Sequence, residues 1–220
     1  MIPVGYLTNQ MDGLHGSRGE YYDYLLGKNG LFIEARSPLL SVRVPVAAAE
    51  VRGLNPVEPK VDLQHGLIPN HLWQLALNLM LSNAHQETYL AVTWEGEYRL
   101  RLPDQEQGNI AVKYSTIPST VLDLHSHSEM RAFFSGADDR DEQGLQLYGV
   151  VGKLTGHTEV LFRVGAYGYF SMLSWYQVFQ GELSGAVEAS AEPSSGEGQE
   201  PELLRLWPGA IICREEGGEI

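Results

Sequence analysis

The sequence contains little cysteine, little basic charge and no long apolar run. Cys213 is the one cysteine among 220 residues, so an internal disulfide is excluded and a reducing cytoplasm is the expected compartment. Fifteen basic residues face 28 acidic ones, for a net charge of -13, which disfavours nucleic acid and anionic membranes as partners. No segment approaches the roughly 18 apolar residues that span a bilayer. We therefore expect a globular protein without a membrane or nucleic-acid partner.

What the sequence does contain is a series of short strand patterns around one helix pattern, which predicts an α/β fold. Apolar residues recur at helical spacing from Pro69 to about Ala84, and their density predicts a helix that is buried on most sides. The strand patterns are rich in branched and aromatic residues and are bounded by glycine or proline. They cover residues 31–33, 42–46, 87–94, 98–102, 110–114, 120–124, 145–152 and 160–164.

Changes in composition divide the chain into four parts. Residues 1–62 form an N-terminal extension with a β-hairpin, and the proline-rich stretch from Asn55 to Pro59 is the expected boundary. Residues 63–180 hold the main domain. Residues 181–202 are rich in Ser, Gly, Glu and Pro with almost nothing to bury, so we expect a disordered acidic linker. Residues 203–220 add an apolar segment and a tail that could dock or remain mobile.

The chemistry-bearing residues lie together between Leu122 and Asp139. His125 and His127 follow a predicted strand, and side chains two apart on a strand point to the same face. Ser135 is a predicted helix cap, and that helix start would bring Asp138 over the histidines. Two imidazoles, one carboxylate and an open position are typical of a catalytic zinc site. Asp139 and Asp141 are the alternative carboxylates, and the two-residue gap from Ser135 favours Asp138 over both.

The pattern His-Ser-His, seven residues, Ser, two residues, Asp resembles the JAMM (MPN+) metalloproteases of the Mov34/MPN/PAD-1 family. The resemblance extends over about residues 66–179, and the segments Met130 to Ser135 and Val150 to Gly152 are most similar to prokaryotic members from PRTRC (ParB-related, ThiF-related cassette) systems. It implies the MPN, or JAB/cytidine-deaminase-like, fold: a mixed, curved β-sheet packed against a long buried helix and short helices. It also implies Zn²⁺ held by His125, His127 and Asp138.

The resemblance further implies a catalytic glutamate just after the first core helix, where Glu87 stands. Glu95 and Glu97 are the alternatives, although a turn apex is a poor place for a catalytic base. Ser135 would donate a hydrogen bond to the oxyanion of the transition state. Asp123 or a backbone carbonyl would orient one imidazole.

The activity implied is hydrolysis of a peptide or isopeptide bond in the C-terminal tail of a ubiquitin-like or sulfur-carrier-like β-grasp protein. An E1-like (ThiF-type) enzyme is the implied partner. Two other functions stay open. One is an MPN scaffold or binding module with weak catalysis, and the other is a RadC-like DNA-associated protein, against which the acidic charge argues.

Overall fold

The computed structural model describes residues 2–103, 117, 119–189 and 210–211, which form two β-sheets and two α-helices. The first sheet has six strands in the order β2-β1-β3-β4-β5-β6. All its neighbours are antiparallel except β1 and β3, which run parallel. Its strands are β1 (Val4–Gln10), β2 (Gly13–Ser17), β3 (Tyr22–Gly27), β4 (Gly30–Arg36), β5 (Leu40–Ala48) and β6 (Lys60–Leu63).

The second sheet has eight strands, of which seven follow the order β14-β12-β11-β10-β9-β7-β8. The short β13 pairs with β11 beyond the end of β12. β9 and β10 are parallel neighbours near the middle of the sheet. The strands are β7 (Tyr89–Trp94), β8 (Tyr98–Arg101), β9 (Thr120–Ser126), β10 (Leu145–Gly152), β11 (Glu159–Ala166), β12 (Tyr169–Leu173), β13 (Val187–Glu188) and β14 (Ala210–Ile211).

The main helix, α1 (Asn70–Ser82), buries only one of its faces. Five of its residues are buried: Leu72, Trp73, Ala76, Leu77 and Met80. Leu75 and Leu81 lie 48% and 42% exposed on the other face, so the prediction of burial on most sides is wrong. The reason is that the helix packs against the protein on one side, with solvent on the other. It also ends before the predicted Ala84, at Ser82.

One hydrophobic core joins the two sheets and α1. Buried residues of the first sheet, such as Ile33 and Val44, belong to the same cluster as Trp73 of α1 and Leu122 and Phe162 of the second sheet. The N-terminal part of the chain therefore does more than form a predicted hairpin: residues 4–63 supply a whole sheet to a shared core. Such continuity is what defines one folding unit rather than an appended segment.

A buried carboxylate organises the first sheet. Glu34 is 4% exposed and accepts hydrogen bonds from Arg18, Arg36 and Arg43. Burial opposes its ionisation, but the bonds from these arginines lower the pKa of Glu34 to about 2. The carboxylate is therefore ionised at neutral pH and ties β4 to β5.

Residues 183–188 pack on the body, although they lie in the predicted disordered linker. Leu183 is 1% exposed, and the carbonyl of Ser184 accepts a hydrogen bond from the indole of Trp73. Glu188 accepts hydrogen bonds from the hydroxyl of Ser174 and the amide of Trp175. The linker prediction is therefore wrong at its start. The remainder of it, the predicted strand at 110–114 and Cys213 lie outside the described residues.

Neither α-helix of the described residues has the length and apolar character needed to cross a bilayer.

Candidate metal centre

The two histidines are held at the end of β9, between β7 and β10. His125 pairs with Tyr89 on one side and with Val150 on the other. Just beyond the strand, the amide of His127 donates to the carbonyl of Val151 at 2.8 Å, which continues the parallel pairing with β10. His127 is 7% exposed. Because the strand alternates, both imidazoles leave it on the same face, as the sequence predicts.

Asp138 is held by the start of a short helix, α2 (Gly136–Asp141). Ser135 caps this helix, and its hydroxyl oxygen accepts from the amides of Ala137 and Asp138. In return, Oδ2 of Asp138 accepts from the amide of Ser135 at 2.6 Å, which completes a capping box. The box uses one carboxylate oxygen of Asp138 and leaves the other, Oδ1, directed at the histidines.

Three possible ligand atoms converge at this point. Nε2 of His125 lies 3.2 Å from Nε2 of His127 and 3.5 Å from Oδ1 of Asp138. All three atoms lie within 4.8 Å of one another. In a tetrahedral zinc site with bonds of about 2.0–2.2 Å, neighbouring ligand atoms are about 3.3–3.6 Å apart. A hydrogen bond between the imidazoles would explain the first distance alone, whereas a cation bound by all three atoms would explain both distances.

The protonation states suit a metal ligand set. Burial holds the pKa of His125 well below its ordinary value, with Asp138 opposing the shift, so its imidazole is neutral at pH 7. A neutral imidazole offers a lone pair to a cation. The Nδ1 atom of His127 is buried and has no hydrogen-bond partner among the described residues. The ring of Phe133 lies against His127, with the ring centroids 4.6 Å apart.

Asp123, one of the two groups expected to orient an imidazole, is bonded to a tyrosine instead. Its carboxylate accepts a hydrogen bond from the hydroxyl of Tyr89, which is the contact the structure gives it in place of an imidazole. Burial raises the pKa of Asp123 to about 6, and the bond from Tyr89 opposes that rise. Asp123 therefore stabilises the pairing of β7 with β9 beneath the histidines rather than orienting either ring.

Of the three candidate glutamates, only Glu87 lies near the histidines along the sheet. The amide of Ser126 donates to the carbonyl of Thr88, and continuing this pairing places Glu87 opposite His127. Glu87 is exposed and lies outside the three-residue cluster. Glu95 and Glu97 lie beyond the far end of β7, about 20 Å along the strand.

The carboxylates of the two distant glutamates are also engaged elsewhere. Arg101 donates to both carboxylate oxygens of Glu95, and these bonds lower the pKa of Glu95. Arg99 donates to Glu97. Position and pairing therefore both disfavour these two residues as a base at the histidine cluster.

Arg163, a buried arginine behind α2, is a residue of this region that the sequence predictions did not include. Arg163 of β11 is 2% exposed, and its guanidinium donates to Asp139 and Glu142. Asp139, the alternative ligand, is therefore turned toward Arg163 and away from the histidines. Burial raises the pKa of Glu142 to about 8, while Arg163 opposes the rise. The sequence does carry a signal for this cluster, since Arg163 stands inside the apolar run Val160 to Val164. A cation buried in such a strand requires an acidic partner.

Comparisons of the chain with protein-family models, with curated proteins and with solved structures found no match. The three converging ligand atoms are therefore the observation from which a function has to be argued.

Proposed function

We propose that this protein is a zinc-dependent hydrolase that cleaves a peptide or isopeptide bond. The observation that carries the proposal is the convergence of Nε2 of His125, Nε2 of His127 and Oδ1 of Asp138, with separations of 3.2 and 3.5 Å. Two imidazoles and one carboxylate leave a fourth tetrahedral position for water or substrate, which distinguishes catalytic zinc sites from structural ones.

We also propose that residues 63–180 adopt the MPN fold. Support comes from the motif and from the arrangement around it: β9 ends at the histidines, α1 packs into the core, and a short helix after β9 carries the aspartate. The family resemblance of the sequence and the geometry of the cluster thus agree on the same residues, although each rests on a different observation.

The residues divide the work as follows. His125, His127 and Asp138 would hold the metal, and zinc in such a site would supply Lewis-acid chemistry toward water and carbonyl groups. The Oδ2 atom of Asp138, bonded to the amide of Ser135, fixes the direction of Oδ1. Because the His125 imidazole is neutral at pH 7, no proton has to leave it before it can bind a cation.

Glu87 is the proposed general base and acid. Glu87 lies two residues before β7, and extending the pairing of Tyr89 with His125 would place it opposite His127. That position suits a carboxylate that takes a proton from the attacking water and returns it to the leaving amine. Its exposure keeps it accessible to water and to substrate.

Ser135 is the proposed hydrogen-bond donor to the oxyanion. Its hydroxyl oxygen already accepts from two backbone amides of α2, so the hydroxyl hydrogen is its remaining group for bonding. A donor of this kind contributes a few kcal/mol when it is aimed at developing charge, about 3 kcal/mol in well-studied cases.

The proposed substrate is the C-terminal tail of a ubiquitin-like or sulfur-carrier-like β-grasp protein, with an E1-like enzyme as a partner. The family resemblance supports this part of the proposal. Exposed apolar side chains beside the histidines also suit protein binding, since Met130 is 52% and Phe133 is 43% exposed.

Metal content tests the site directly. Purified wild-type protein should contain close to one zinc per chain, and His127→Ala should lose most of it, because two ligands hold zinc far less tightly than three. His157→Ala is the matched control, since His157 is an exposed histidine at a turn outside the cluster. A wild-type protein that binds no zinc after refolding with it would overturn the proposal.

Cleavage of a β-grasp fusion tests the activity. Glu87→Gln should keep zinc and lose cleavage, whereas the control Glu97→Gln should keep both. Retained cleavage in Glu87→Gln would exclude that residue as the base. Zinc binding without cleavage of any such fusion by the wild type would favour a scaffold function.

A further inference from the structure

The helix that carries Asp138 has few means of holding its own position. α2 spans six residues, none of which is buried, so no apolar face anchors it to the core. An isolated helix of this length is unstable in water, because the cost of nucleation exceeds what one or two hydrogen bonds return. The placement of Asp138 therefore depends on polar anchors at the two ends of α2.

The first anchor is the capping box of Ser135, and the second is Arg163. The guanidinium of Arg163 donates from Nη1 to Asp139 at 2.5 Å and from Nη2 to Glu142 at 2.6 Å. A third bond runs from Nε to Glu142 at 2.9 Å. Glu142 follows the helix directly, and its amide donates to the carbonyl of Asp138 at 2.8 Å. Arg163 thus binds the residue that directly follows the proposed ligand and the residue one helical turn after it.

The guanidinium is itself fixed in place. Its central carbon lies 3.9 Å from the ring centroid of Phe134 and 3.9 Å from that of Phe170, so the planar group is stacked between two rings. Stacking sets the plane of the guanidinium, and the donor fork then sets the position of both carboxylates. A lysine could supply the charge at this position, but neither the stacking plane nor the fork.

We propose that Arg163 is a positioning residue for the metal site: by fixing α2 it holds Oδ1 of Asp138 beside Nε2 of His125. The proposal rests on the proposed zinc site for its functional meaning, but the anchoring of α2 can be measured without metal. Arg163→Lys is the informative variant, because removing the charge would leave two carboxylates beside an apolar pocket and risk unfolding.

Hydrogen exchange of the metal-free protein tests the anchoring. In Arg163→Lys the amides of Asp139 and Glu142, which bond to Ser135 and Asp138, should exchange at least tenfold faster than in the wild type. Amides in β9 and β10 should keep their wild-type rates. Arg43→Lys is the matched control, since Arg43 also donates to a buried glutamate by two nitrogens, but in the first sheet. Unchanged exchange in α2 of Arg163→Lys would overturn the proposal.

Metal affinity tests the consequence. Arg163→Lys should weaken Co²⁺ or Zn²⁺ binding by about 10- to 100-fold, as does the loss of a group that orients a ligand. Arg163 acts on Asp138 through Glu142, whose amide bonds to the carbonyl of Asp138. In an Asp138→Ala background the same change should alter affinity less than twofold, because the ligand that Arg163 positions is already gone. An equal loss in both backgrounds would show a general structural effect and refute the role. If the wild type binds no metal, the proposed function fails, whereas the exchange experiment still decides the anchoring of α2.

Discussion

Replacement of Gly152 by alanine should distort the proposed metal centre. Gly152 ends β10, and a Cβ atom there would lie 2.2 Å from the amide nitrogen of Ala132 and 2.5 Å from the carbonyl oxygen of Met130. These are backbone atoms of the loop that follows His127. That loop is tied to β10 and its extension by hydrogen bonds from Lys153 to Met130 and from His127 to Val151.

The size of the effect follows from these distances. Ordinary contact begins near 3.4 Å, so the loop must move by about 1.2 Å relative to β10. Overpacking of this kind typically costs about 1–3 kcal/mol. For a chain of this length, 2 kcal/mol corresponds to a fall in melting temperature of roughly 4–8 °C. A ligand shell tolerates displacements of only about 0.5 Å, so zinc affinity should fall at least tenfold.

Thermal unfolding and metal titration of Gly152→Ala and Gly156→Ala provide the assay. In the control, the nearest atom to the new Cβ would be the carbonyl oxygen of Lys153 at 4.0 Å, which is ordinary contact. Gly156→Ala should therefore keep the wild-type melting temperature and affinity. A Gly152→Ala protein with both properties unchanged would refute the argument that the loop position sets the geometry of His127.

Three further predictions follow from other parts of the structure. The pKa of Glu34 in the folded protein, about 2, lies below its ordinary 4.5. Ionised Glu34 therefore contributes on the order of 3 kcal/mol to the free energy of unfolding above pH 4.5, and this contribution is lost as pH falls toward 2. In urea titrations the unfolding free energy of Glu34→Gln should depend less on pH over this range, and an equal dependence in the two proteins would contradict the prediction. A chain ending at Phe179 loses the packing of residues 183–188 and should melt roughly 10 °C lower. A chain ending at Ala189 keeps that packing, loses only the two-residue β14 among the described elements and should melt within a few degrees of the full chain. Ser135→Ala removes the cap of α2 and should cost about 1 kcal/mol in chemical denaturation; cleavage should fall as well, and wild-type turnover would exclude the hydroxyl as an oxyanion donor.

Features coded by neighbouring residues could be predicted from the sequence. β9, the shared face of His125 and His127, and the capping start of α2 all depend on alternation or on spacing of three residues. The convergence of Asp138 with the histidines was predicted because the motif places a helix start shortly after a strand end. These are short-range properties, and the physical rules that govern them are local.

Features that depend on distant partners could not be predicted. The parallel pairing of β1 with β3 and the shared core of the two sheets leave no local pattern. Burial of Leu183 and hydrogen bonds to Ser184 and Glu188 hold a segment whose composition indicates disorder. The exposed face of α1 carries Leu75 and Leu81, so an apolar residue alone did not indicate which side faces the core. The role of Arg163 depends on residues 21 and 24 positions away.

The parallel pairing of β9 with β10 has a consequence for how the centre is assembled. Two parallel strands cannot be joined by a tight turn, so the chain must travel back along the sheet between them, and α2 lies on that return path. The connection between β9 and β10 also brings Asp138 close to the two histidines. The fold alone therefore brings together the three proposed ligands, so the site as proposed would not need a metal ion to assemble it.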